Sequence, residues 1–86
     1  MKTIVFTARW CAPCKVYKPT LEEVIKENPN VDIEFIDVYN DPDKLMEKYS
    51  VSSVPTTLVF EGNDIICRKV GNVFKDELLK ILNIGD

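Results

Sequence analysis

The chain has 86 residues, 45% of them hydrophobic, and 11 Lys and Arg against 14 Asp and Glu give a net charge of −3. That length and apolar content fit one globular domain over 1–86, burying roughly 60–65% of the surface its unfolded chain exposes. The acidic balance argues against a nucleic-acid binder or a protein docked on anionic membranes, and no apolar run nears the ~20 residues of a membrane span.

Residues 3–7 form a short apolar, β-rich run that predicts a buried strand. Ahead of it lie only Met1 and Lys2, and Thr7 ends the run, so it is too short for a signal-peptide core. The expected location is the cytoplasm. From about 12 to 28, Tyr17, Leu21, Val24 and Ile25 fall at helical spacing, with Lys18, Glu22, Glu23, Lys26 and Glu27 on the other face. Pro19 lies inside this helix and predicts a kink, because proline lacks a backbone donor and crowds the preceding turn. Asn28-Pro29-Asn30 ends it. Residues 31–38 alternate and then run apolar, predicting a second strand. Asp41-Pro42 offers an N-cap and a first-turn proline for a short helix reaching about Tyr49. Ser52 and Ser53 fall in a loop before Val54-Pro55. Residues 57–61 and 65–70 read as strands of a hairpin around Gly62-Asn63-Asp64. Phe74, Leu78, Leu79, Ile81 and Leu82 mark an amphipathic last helix, with Lys75, Asp76, Glu77 and Lys80 outside. The order β-α-β-α-β-β-α predicts an α/β fold with a mixed sheet and helices on both faces.

The chain has three cysteines and no histidine. An odd count does not suit a disulfide-stapled secreted scaffold, and without His there is no Ser-His or Cys-His nucleophile. Two cysteines stand as Cys11-Ala12-Pro13-Cys14, after a strand and at the start of a helix. A helix N-terminus presents unpaired amide donors and partial positive charge, which stabilise a thiolate, and Arg9 and Lys15 push the same way. Cys11 is therefore the expected nucleophile. Cys14, one turn later and expected to be less exposed, can attack a mixed disulfide formed on Cys11. Other readings stand beside this one. CxxC is half of a zinc site, but closed zinc sites want four ligands and Cys67 is the only further soft one. A metal shared between chains, a pair of structural cysteines, or a scaffold that has lost turnover also fit the motif. Cys67, mid-strand, reads as a small buried hydrophobe.

Trp10-Cys11-Ala12-Pro13-Cys14-Lys15 resembles the thioredoxin active site, with Ala12 where the usual form has glycine. Pro19, the acidic turn Asp37-Val38-Tyr39-Asn40-Asp41-Pro42, Lys48-Tyr49-x-Val51, Val54-Pro55-Thr56 and Gly71 extend the likeness over nearly the whole chain. The resemblance implies a thioredoxin fold in trimmed form, lacking the usual first strand and helix, with sheet order 2-1-3-4. It implies a protein-disulfide oxidoreductase using a Cys11–Cys14 redox disulfide, with no cofactor and no metal. Its partners would be protein disulfides and a flavin reductase of the thioredoxin-reductase type, with the chain acting as a monomer. By the same resemblance Pro55 is cis and packs against both cysteines, and Val54 offers its backbone to an extended substrate segment. Trp10, Ala12, Pro13, Val54, Pro55 and Gly71 would border the substrate, and Tyr49 either borders the groove or packs in the core.

Two positions depart from the family. Its buried aspartate, six residues before the first cysteine, is Val5 here, and the lysine paired with it is Phe35. Losing both members is coherent, since a buried carboxylate without a partner is costly. It also leaves no obvious general base for Cys14. These departures lean toward glutaredoxin-like reductases linked to glutathione, but Lys69-Val70-Gly71-Asn72-Val73 lacks their Gly-Gly and acidic signature. A CxxC module that only binds a metal or partner is the reading from outside enzymology.

Overall fold

In the computed structural model, which describes residues 1–84, strand β1 (Lys2–Thr7) forms the middle of the sheet. The last two positions of the expected 1–86 span lie outside that description. Successive side chains of a strand point to opposite faces, so Thr3 and Val5 turn one way and Ile4 and Phe6 the other. All four are buried, because both faces of β1 are covered.

Helix α1 (Ala12–Glu27) follows and places Cys14, Tyr17, Leu21 and Val24 on its buried side, at the three-to-four-residue spacing of one helical face. Pro19 sits within the helix, which runs on around it for 16 residues; the missing N–H is the one that would have reached the Lys15 carbonyl. Asn28 closes it, its backbone N–H and its side-chain Nδ2 both donating to the Val24 carbonyl, at 2.9 and 3.0 Å. The chain returns as β2 (Ile33–Asp37), parallel to β1 with Val5 opposite Phe35.

The second helix corrects the sequence reading. It is expected to open at Asp41-Pro42, but α2 spans only Leu45–Lys48. Lys44 takes a left-handed conformation, φ 54°, which separates a turn at Pro42 and Asp43 from the helix proper. Asp41 still acts as the cap: its two carboxylate oxygens accept the N–H groups of Leu45 and Met46, each at 2.9 Å. The N-cap position thus falls at Lys44 and not at Asp41, which serves the helix through its side chain alone.

Strands β3 (Thr56–Glu61) and β4 (Asp64–Val70) form the hairpin, joined by Gly62 and Asn63 with Gly62 at φ 61°. Val59 pairs with Cys67 while Phe60 pairs with Ile65, so Ile66 is a bulged extra residue and its side chain stands exposed. The sheet order is β2-β1-β3-β4, as the resemblance implies. Helix α3 (Lys75–Ile81) packs beside α1, and the two cover one face around Val5, Val59, Leu21, Leu78 and Leu82. The other face carries Ile4, Phe6, Leu58 and Phe60 under Val51, Leu45, Met46 and Tyr49. Tyr49, half-buried, packs edge-to-face on Phe60 at the margin of this cluster, ring centroids 5.1 Å apart. Burying each such large side chain contributes about 1.5–3 kcal/mol. No helix among the described residues is long and apolar enough to cross a membrane.

Candidate active site

The loop after β1 turns sharply, with the Cys11 N–H donating to the Ala8 carbonyl at 3.1 Å, and delivers Cys11 to the N-cap position of α1. There the sulfur takes the place of the usual capping oxygen: the Cys14 N–H donates to Cys11 Sγ at 3.2 Å. Ala12 and Pro13 fill the first turn, where proline's missing N–H costs nothing. Cys11 and Cys14 lie 5.2 Å apart at Cα and are joined as a disulfide. The spacing of the motif and the pitch of one helical turn together produce that pairing.

Both cysteines are 4% exposed. Cys14 is therefore not the more hidden of the two, contrary to expectation. Ala8 packs with the pair from the loop, and Val38 and Val54 close over them from two other connections, so Cys11 is shielded as well as Cys14. Val54 is the nearest backbone from the far side: its carbonyl oxygen lies 3.7 Å from Cys11 Sγ. The Val54–Pro55 bond is cis, and Pro55 is buried. The Gly71 N–H donates to the Pro55 carbonyl at 2.8 Å, bringing the end of β4 to the same place. Gly71 has φ +89°, which a side chain tolerates poorly, while the space around its missing Cβ is open. The requirement for glycine there is conformational.

Trp10 is 63% exposed, and its indole N–H donates to the hydroxyl of Tyr39, a contact across the molecule from the β1 loop to the turn after β2. Arg9 sits 3.5 Å from the Asp37 carboxylate, so its charge is directed there. Lys15 stays on the helix surface, and a pocket on this side is lined by Cys14, Lys15, Lys18, Phe35, Asp37 and Thr7.

Behind the cysteines, Val5 is fully buried between Phe35 on one side and Thr57 on the other in the sheet register. Both positions expected to lack charge are thus apolar cross-strand neighbours. The polar group nearby is a hydroxyl pair that sequence reasoning missed: Tyr17 and Thr57 share a buried 2.8 Å hydrogen bond from α1 to β3. Burial pushes the Tyr17 phenol above its ordinary value, with the Thr57 bond offsetting part of the shift. Tyr39 was missed too, although an aromatic residue inside the polar turn Asp37–Asn40 was a readable signal. Cys67 pairs with Val59 across the hairpin and packs, half-buried, against the α1–α3 side of the core. Among the described residues no group of three or more His, Cys, Asp or Glu is placed to hold a metal ion.

A disulfide-forming pair at a helix N-terminus, on a four-stranded mixed sheet with helices on both faces, defines a dithiol redox protein. Known proteins agree. The Thioredoxin family model matches residues 2–84. A thioredoxin of Chlamydia trachomatis is 41% identical over 80 residues, covering 93% of this chain and 78% of that protein. One from Buchnera aphidicola is 39% identical over 79 residues, covering 91% and 72%. Oxidized mitochondrial thioredoxin 3 from Saccharomyces cerevisiae matches with a TM-score of 0.80 at 30% identity, over 94% of this chain and 74% of that one. The chain belongs to the thioredoxin family. It is a thiol–disulfide oxidoreductase that exchanges electrons with protein disulfides and with a reductase, and Cys11–Cys14 is its disulfide-forming pair.

Proposed function

We propose that Cys11 is the attacking thiolate and Cys14 the resolving one in the reduction of protein disulfides. The observation that carries this reading is the Cys14 N–H aimed at Cys11 Sγ, at the positive end of α1. Cys11 attacks one sulfur of the substrate disulfide, forms a mixed disulfide and expels the other substrate sulfur as a thiolate, which takes up a proton. Cys14, deprotonated, then attacks Cys11 Sγ. The second substrate thiol leaves, and the Cys11–Cys14 disulfide holds the two electrons' worth of oxidation. The substrate chain lies along Val54, whose carbonyl is beside Cys11, with Trp10, Ala12, Pro13 and Gly71 around it, while Pro55, fully buried, acts by turning Val54 toward the cysteines and not by offering its ring to the substrate. A flavin reductase of the thioredoxin-reductase type restores the dithiol, and the chain acts as a single-domain monomer. Cys67, left unpaired in the structure, suits a reducing compartment such as the cytoplasm.

The test is trapping. Cys14→Ser is expected to accumulate covalent complexes with protein substrates, released by added thiol, and Cys11→Ser to form none. Equal trapping by the two variants would overturn the assignment, and trapping by Cys11→Ser alone would reverse it.

A further inference from the structure

Beside Cys11 stand two aromatic rings from segments 29 residues apart. Trp10 and Tyr39 meet edge-to-face, ring centroids 6.3 Å apart and planes at 67°, and the indole N–H donates to the Tyr39 hydroxyl. This is the geometry in which aromatic rings attract, positive edge to negative face. Yet the pair stays in water, Trp10 at 63% exposure and Tyr39 at 66%. Tyr39 is held from below: its backbone N–H donates to the Asp37 carboxylate at 2.8 Å, and that carboxylate also faces Arg9 at 3.5 Å. Asp37 and Arg9 thus offset each other's charge, and the rings themselves are uncharged. An exposed, uncharged aromatic surface built on the residue next to Cys11 in the chain suits an apolar side chain of the molecule that brings the disulfide.

We propose that Tyr39 determines substrate specificity: with Trp10 it forms a platform that packs an apolar side chain flanking the disulfide of a polypeptide substrate. The inference rests on the reading of Cys11 as the attacking group. Tyr39 acts in two ways. Its hydroxyl fixes the Trp10 ring through the indole hydrogen bond, and its own ring widens the surface. A partner with Leu or Trp beside its cysteine gains contact with both rings, whereas one with Glu or Ser there leaves them wet.

The experiment uses two synthetic disulfide-bonded peptides that differ only in the residue next to one cysteine, Trp in one and Ser in the other. Their reduction is followed at steady state for the wild type, Tyr39→Ala and Tyr39→Phe. The wild type is expected to favour the Trp peptide by roughly three- to tenfold in kcat/KM, chiefly through KM, the range of one aromatic contact. Tyr39→Ala should bring that preference to within about twofold, and Tyr39→Phe, which keeps the ring, should remain above twofold. Emission from Trp10, the chain's single tryptophan, should change in Tyr39→Phe as its hydrogen bond is lost. Full preference retained by Tyr39→Ala, or both peptides slowed by one common factor, overturns the proposal while leaving the role of Cys11 intact. A wild type that reduces neither peptide overturns the Cys11 reading and the proposal together.

Discussion

Val5 and Phe35 face each other across β1 and β2, and the space they fill behind the cysteines is closed by Tyr17, Leu21, Val24 and Val59. A carboxylate placed there would lose its hydration among these apolar side chains, which raises its pKa and costs stability once it ionises. Val5→Asp is therefore expected to destabilise by about 2–5 kcal/mol at pH 8, with the loss shrinking toward pH 4 as the carboxyl takes up its proton. Urea unfolding at the two pH values checks this, and equal losses at both would mean that the charge is not what the site rejects. These two positions stood out in the sequence because each replaces a residue type that the family resemblance leads one to expect. The Tyr17–Thr57 hydroxyl pair had no such marker: a tyrosine on an apolar helical face reads as core until its partner, 40 residues away, is known.

Among the elements, α2 depends most on a single side chain. It has four residues, too few for helical hydrogen bonding to sustain it, and Asp41 satisfies two of its amide donors from outside. Asp41→Ala is expected to cost about 0.5–2 kcal/mol in chemical denaturation while Asp43→Ala, whose side chain stands in solvent, costs less than about 0.5 kcal/mol. Similar losses from both would remove Asp41 from the cap. The Asp-Pro pair in the sequence pointed to the capping residue. It could not place the helix start, because Lys44 adopts a left-handed conformation that its residue type does not favour. The bulge at Ile66 was equally silent: a run such as Ile65-Ile66-Cys67 has no alternation from which to read a register shift.

Across the whole molecule, three groups tie distant segments and titrate at high pH. Tyr17 on α1 is raised by burial; Lys2 on β1 is raised by its hydrogen bond and charge contact with Glu34 on β2; Lys75 on α3 is raised by Glu23 and Glu27 on α1. A raised folded-state pKa gives stability that is complete below the unfolded value and lost as pH climbs through the folded one. Here the unfolded values are about 10 to 10.5. The urea midpoint should therefore fall as pH rises above about 10, and Tyr17→Phe should fall less steeply than the wild type. Parallel decline would exclude Tyr17 as a contributor. The amino-acid sequence by itself determined the seven elements in order, the dithiol motif and its chemistry, since periodicity, capping and one-turn spacing are properties of neighbouring residues. Only the tertiary structure decided that Cys11 is as covered as Cys14, that Tyr49 packs on Phe60, and that Tyr39 stands against Trp10. Those outcomes depend on which segments the sheet order brings together, and contacts made across 29 or 40 residues leave no period in the chain.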